Sequence, residues 1–176
     1  MLNRLQQFFY SHHLKSRLKR HGVRHQVVNF QRAQYVGIVF DGTDEQNVVT
    51  VHNYVHKLKK RGLKVSMLGF VDASKMTENM SYMAFSRKEI NWFQKPKHHK
   101  PVEFTGKEFD ILINAHTQES TPLEYIATFS NAKFRVGPYL EDDKAHCFDF
   151  MIRTKSDDLE DFLEEVDHYL EILDRI

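Results

Sequence analysis

Between Gln34 and Asp72 the chain passes through an apolar run, QYVGIVF, a helical repeat, and a second apolar run, KVSMLGFVD, all within the span of one βαβ unit. A near-continuous apolar run of strand length is what a strand covered on both faces of a parallel sheet requires. From Glu45 to Arg61 the residues Val48, Val51, Val55 and Leu58 recur every three or four positions, which predicts a helix with one apolar face. Gly62 stands where a left-handed C-cap ends such a helix. Two parallel strands joined through a helix need a right-handed crossover. The unit therefore predicts an α/β fold: three layers, a mostly parallel open sheet of about five strands, and helices on both faces.

The later segments extend the pattern. FDILINA from Phe109, KFRVGPY from Lys133 and FDFMIRT from Phe148 are further apolar runs of strand length. Only about nine residues, with the acidic loop LEDDKAH among them, join the last two, fewer than a helical crossover needs, so an antiparallel pairing and an irregular return both stay open. Thr121-Pro-Leu-Glu124 combines a capping Thr, a Pro at the first helical position and a Glu three residues on, which predicts a short helix to about Ser130. Ser86-Arg-Lys-Glu89 is a second capping box. The last helix, from Asp157 to about Arg175, places Leu159, Phe162, Leu163, Val166, Leu170 and Leu173 on one face and nearly all its acids on the other. HQVVNF is expected as a short edge strand, and Asp72 to Thr105, with its basic stretch KPKHHKP, as an insertion over the edge or top of the sheet.

A length of 176 residues suits one domain whose core needs no disulfide or metal. That domain is expected over residues 31–176, after a basic amphipathic extension, 1–30, in which Leu2, Leu5, Phe9, Leu14 and Leu18 fall at roughly helical spacing. A hydrophobic content of 41% excludes a disordered chain, and no apolar run approaches the ~20 residues that span a bilayer. The opening residues lack the apolar core of a secretory signal and Cys147 is alone, so a reducing cytoplasm is the expected compartment. The net charge of +1 hides an asymmetry, because residues 1–40 hold no Asp or Glu whereas 157–176 hold nine acids against Arg175.

The turn FDGTDEQN, Phe40 to Asn47, marks where a ligand would bind, since open parallel sheets bind at the carboxyl ends of strands where the strand order reverses. Gly42 permits close backbone approach, Thr43 or Asp44 can cap the helix, and the free N–H groups of a helix start favour an anion. The carboxylates of Asp41 and Asp44 oppose a phosphate unless a cation lies between, and capping alone also accounts for these residues. Asn114, His116 and Thr117 follow the FDILIN strand and join the turn if that strand neighbours YVGIVF. The expected ligand set is therefore Asp41, Gly42, Thr43, Asp44, Asn114, His116 and Thr117. On this reading the chain is an enzyme or sensor for a nucleotide or phosphometabolite.

VGIVFDGTDEQN, with the helix and KVSMLGFVD that follow, resembles the opening of universal stress proteins. The resemblance implies, for the ATP-binding members, a later Gly-x-x-Gly…Gly-Ser/Thr phosphate loop, and here no glycine occurs between Gly106 and Gly137. More of the chain, in VGIVFDGTD, KLKKRG, LGFVD, INWFQKPK, FDILIN, PLEYIA, SNAKFRVGPY and DHYLEIL, resembles an uncharacterised family of small α/β proteins from Bacteroidota. That resemblance implies a single α/β domain and supplies no catalytic residue.

His52 and His56 stand four apart on a helix, a metal-ligand spacing, without the Glu of an HExxH motif or a third ligand close in sequence, and no metal or cofactor is expected. His146 and Cys147 are adjacent in an extended segment and so face opposite sides. GxSxG, P-loop, CxxC and GxGxxG patterns do not occur, so catalysis by a nucleophile or metal of its own is not expected. The leading expectation is a non-catalytic binding protein. Its basic helix, through Arg4, Lys15, Arg17, Lys19, Arg20 and Arg24, contacts an anionic partner, RNA or a ribonucleoprotein ahead of a membrane surface. Lys95, Lys97 and Lys100, close to Trp92 and Phe93, add an aromatic and basic surface. Two alternatives stand beside it. One is the small-ligand site at the strand ends; the other is a structural role in which the basic helix packs on the acidic final helix, within one molecule or across a homodimer.

Overall fold

The computed structural model describes residues 26–71, 79–89, 99–139 and 147–173. Within them six strands form one open sheet, parallel throughout, in the order β3-β2-β1-β4-β5-β6. The strands are β1 (Tyr35–Asp41), β2 (Lys64–Phe70), β3 (Met83–Phe85), β4 (Ile111–Ala115), β5 (Phe134–Pro138) and β6 (Phe150–Ile152). Four α-helices cover them: α1 (Glu45–Lys60), α2 (His99–Thr105), α3 (Thr121–Phe129) and α4 (Leu159–Ile172). The α/β class and the parallel sheet between helical layers are thus as the apolar runs predict. None of the described helices is long and apolar enough to cross a membrane.

Strand residues alternate between two apolar layers. Val36, Ile38 and Phe40 of β1 and Ile111 and Ile113 of β4 pack with Val51, Val55 and Leu58 of α1 and with Phe162, Val166 and Leu170 of α4. On the opposite face Val39, Leu68 and Leu112 pack with Phe104 of α2 and with Leu123 and Ile126 of α3. Cys147 is buried in this second layer, and burial pushes its thiol pKa up. A strand covered on both faces cannot alternate apolar with polar, which is why β1 and β4 read as unbroken apolar runs.

Both ends of α1 follow from local chemistry. The Asp44 carboxylate accepts the Gln46 N–H at 2.9 Å, Glu45 lies in the first turn, and Lys57, Lys59 and Lys60 lie in the last, all in the sense the helix dipole favours. At the other end Gly62 takes φ +86°, donating to the Lys59 carbonyl while Leu63 donates to that of Leu58. Those two bonds are a Schellman closure, and Leu58 and Leu63, the positions whose apolar contact usually accompanies it, are both buried in the first layer.

Several local expectations differ from what is observed. HQVVNF is not a strand over its described residues: Asn29 turns the chain by accepting the N–H groups of Arg32 and Ala33, while Val28 and Phe30 are buried in the first layer. The domain's contacts thus begin before residue 31, with Gln26 donating to the Lys133 carbonyl. The segment expected as an insertion supplies edge strand β3 and helix α2, whose Pro101 and Phe104 are buried. Three residues are too few for periodicity to reveal β3. The Ser86 box forms, with the Glu89 carboxylate accepting the Ser86 N–H at 2.7 Å, but what it opens among the described residues is the 3-10 turn Arg87–Glu89. The cap of α3 is Ser120, one residue before the expected Thr121, and Glu124 reaches back to its N–H. The open choice at the sheet edge falls to parallel pairing, Val136 with Phe150 and Pro138 with Ile152.

Asp167 also departs from its expected solvated face. It is 6% exposed, paired with Arg61 through two bonds of 3.0 and 2.8 Å, with Lys57 at 2.6 Å and with the Tyr54 hydroxyl at 3.2 Å. Its helical position borders the apolar stripe of α4, and its partners lie on α1 and at its C-cap, far away in sequence. The N-terminal helix expected over residues 2–20 lies outside the described residues.

Candidate functional site

Strand order reverses between β1 and β4, so the carboxyl ends of these strands leave a crevice there. The register Phe40 with Ala115 brings the next residues of each strand, Asp41 and His116, to that crevice together. Its volume is about 730 Å³. Of the expected ligand set Asp41, Asp44, His116 and Thr117 line it, whereas Gly42, Thr43 and Asn114 do not.

Each of these residues has a local role that its geometry defines. The Asp41 carboxylate accepts the Thr43 N–H at 2.9 Å, which folds the turn, and Asp44 rather than Thr43 caps α1. The space above Gly42 belongs to Tyr82. A Cβ at this position would stand 2.6 Å from the Tyr82 hydroxyl and 3.2 Å from Val71 Cγ2, so the close approach that glycine allows is made by the protein's own side chain. Burial, and then the charge of Asp41, raise the Tyr82 pKa. Thr117 donates its hydroxyl to the Asp157 carbonyl at 2.9 Å, tying the β4 end to the start of α4.

His116 is buried, at 5% exposed. Its Nδ1 lies 2.7 Å from the Gln118 carbonyl oxygen, which can only accept, so Nδ1 carries the proton. Burial, opposed by that hydrogen bond and by Asp41, lowers the imidazole pKa to about 4. The ring is therefore neutral near pH 7 and Nε2 is an acceptor, buried and without a hydrogen-bond partner. Asn114, fully buried on β4, donates to the Leu123 carbonyl at 3.3 Å and leaves its own Oδ1 unpaired. Two unpaired acceptors two residues apart at one strand end are unusual, because buried polar groups are nearly always paired.

Sequence reasoning missed the rest of the lining. Arg87 comes from the turn after β3; Gln118, Glu119, Ser120 and Thr121 lead into α3; Asp157 precedes α4. Only chain crossings distant in sequence bring these segments together, and no local motif announces them. The His52 and His56 pair is placed away from the crevice, with His52 Nε2 3.0 Å from the Ser81 hydroxyl. Among the described residues no group of three or more His, Cys, Asp or Glu is arranged to hold a metal ion. Arg4, Lys15, Arg17, Lys19, Arg20, Arg24, Lys95 and Lys97 lie outside the described residues, and Lys100 is exposed on α2.

The chain belongs to a family of unknown function (DUF6913), which it matches over residues 6–173. No curated protein matches it.

Proposed function

We propose that this protein binds a small polar molecule in the crevice at the carboxyl ends of β1 and β4. One observation carries the reading: His116, nine-tenths buried, lines the crevice with an Nε2 that has no partner. Leaving a buried acceptor unpaired costs about 1–3 kcal/mol, which a ligand donor at that atom would recover. The position at the reversal of strand order supports the same site. A thermal-shift screen of polar metabolites tests it. A ligand at a hundred times its dissociation constant is expected to stabilise the fold by about 2.7 kcal/mol. That shift should vanish in His116→Gln or Asp41→Asn. A screen without a shift, or a shift that both variants keep, removes the reading.

A second reading is that the basic N-terminal segment contacts an anionic partner such as RNA or a ribonucleoprotein. It is supported by the occupation of Asp167 and Glu171 of α4 by Lys57 and Arg61, which leaves fewer acids on that helix to hold the segment within the molecule. Packing on the outer acids of α4, in one molecule or a homodimer, and a membrane surface are its rivals. RNA and anionic liposomes are titrated with the full chain and with a chain beginning at Gln26, which keeps the buried Val28 and Phe30. The expected result is RNA binding by the full chain alone, with log affinity falling against log salt at a slope of about −4 to −5 for six engaged cations. Equal binding by the shorter chain, or none at low salt, contradicts it.

A further inference from the structure

We infer that the crevice takes a small nitrogenous cation, a compound bearing an ammonium or guanidinium group, and not a phosphate. The inference rests on the small-molecule reading above and names the ligand class for that site. Its ground is the match between what the crevice offers and what it has already filled.

A phosphate site at the end of a parallel sheet relies on free N–H groups at helix starts. Here three helices begin beside the crevice, and at each a carboxylate of the chain already takes one N–H group and sets its own negative charge there. Asp44 accepts from Gln46 at 2.9 Å at α1, Glu124 from the Ser120 N–H at 3.3 Å at α3, and Asp158 from Glu160 at 2.8 Å at α4. An entering anion would meet one of these carboxylates at every helix start.

The charge of the lining is of the opposite kind. Among the described residues it carries the carboxylates of Asp41, Asp44, Glu119 and Asp157 against one cation, Arg87. The buried polar atom without a partner, His116 Nε2, is a lone-pair acceptor because Nδ1 holds the ring's proton toward the Gln118 carbonyl. A charged N–H donor satisfies both features at once, with charge-assisted hydrogen bonds to carboxylate and a neutral one to the imidazole. A phosphomonoester dianion, which has no donor on its phosphate and repels the carboxylates, satisfies neither.

The test uses the full chain at low ionic strength, with the His116 side-chain nitrogens followed by NMR. A set of ammonium and guanidinium compounds that includes agmatine and putrescine is titrated beside inorganic phosphate and ribose 5-phosphate. At least one amine is expected to bind and to move the His116 Nε2 signal, whereas the phosphates leave it unchanged. Asp157→Asn, an exposed position, should weaken the amine about tenfold, the value of one charge-assisted hydrogen bond. Arg87→Gln should strengthen it. Movement of the signal by a phosphate, with loss of that response in Arg87→Gln, overturns the ligand class and leaves the small-molecule reading standing. The same holds if a neutral compound moves the signal and neither charge variant alters its affinity. If no compound of any class moves His116, both fall.

Discussion

Replacing Asp149 by alanine is expected to destabilise the protein by about 3–5 kcal/mol, the cost of removing one partner from a buried ion pair. Arg135 is the second residue of β5, where every residue is buried, and its side chain is 6% exposed. Asp149, at the entry to β6, grips it with bonds of 3.1 Å to Nε and 2.9 Å to Nη2, and accepts the Arg135 backbone N–H at 2.8 Å. The Asp149 N–H donates in turn to the Arg135 carbonyl at 2.8 Å. Alanine deprives the guanidinium of its carboxylate in a place where water reaches it poorly. Arg135→Met removes the charge that needs compensation and leaves an Asp149 side chain that is 15% exposed, so it should cost less. The double variant should recover part of the loss, since an apolar replacement of a buried pair is often close to neutral. Urea denaturation of the three variants measures this, and a loss below about 1 kcal/mol for Asp149→Ala would show that the pair behaves as an exposed one.

The second large effect is a dependence on pH. His116 is held neutral down to about pH 4 in the fold, against 6.5 for the free side chain. In the unfolded chain it takes up a proton as pH falls through 6.5, whereas the folded chain refuses one until about 4. Unfolding is therefore promoted within that window, and stability rises with pH across it. The stabilising contribution is complete above pH 6.5 and is lost progressively toward pH 4, by about 3 kcal/mol in all. Other carboxylates titrate in the same range, so the measurement is a difference. Wild-type stability and that of His116→Gln are compared from pH 4 to 7. The gap between the two curves should shift by about 3 kcal/mol in favour of the variant as the solution is acidified. Parallel curves would mean that the imidazole is solvated. A bound ammonium compound that donates to Nε2 should steepen the wild-type curve further, because protonation of Nε2 then also expels the ligand.

What could be read from the residues alone is what local physics decides. The runs YVGIVF and FDILIN had to be strands covered on both sides, because no other placement of so many consecutive apolar side chains keeps them from water. Asp44, Gly62 and the Ser86 box announced their turns, because a cap acts on backbone groups two or three residues away. Short elements were illegible for the same reason: β3, at Met83–Phe85, is too brief to show a period, and its strand state comes from pairing with Leu68 to Phe70. The place of a site at the turn after β1 was legible, but its composition was not. Asp41 meets His116 because β4 pairs beside β1, and Asp157 joins them because α4 lies with α1 on one face of the sheet. The same long-range packing turned Asp167 from a surface acid into a buried partner of Arg61, and gave Arg135, in an otherwise apolar strand, its carboxylate. Charge and burial of a side chain depend on what the fold sets against it from elsewhere in the chain, and for His116 that setting, not the residue type, leaves a neutral ring with one lone pair unpaired.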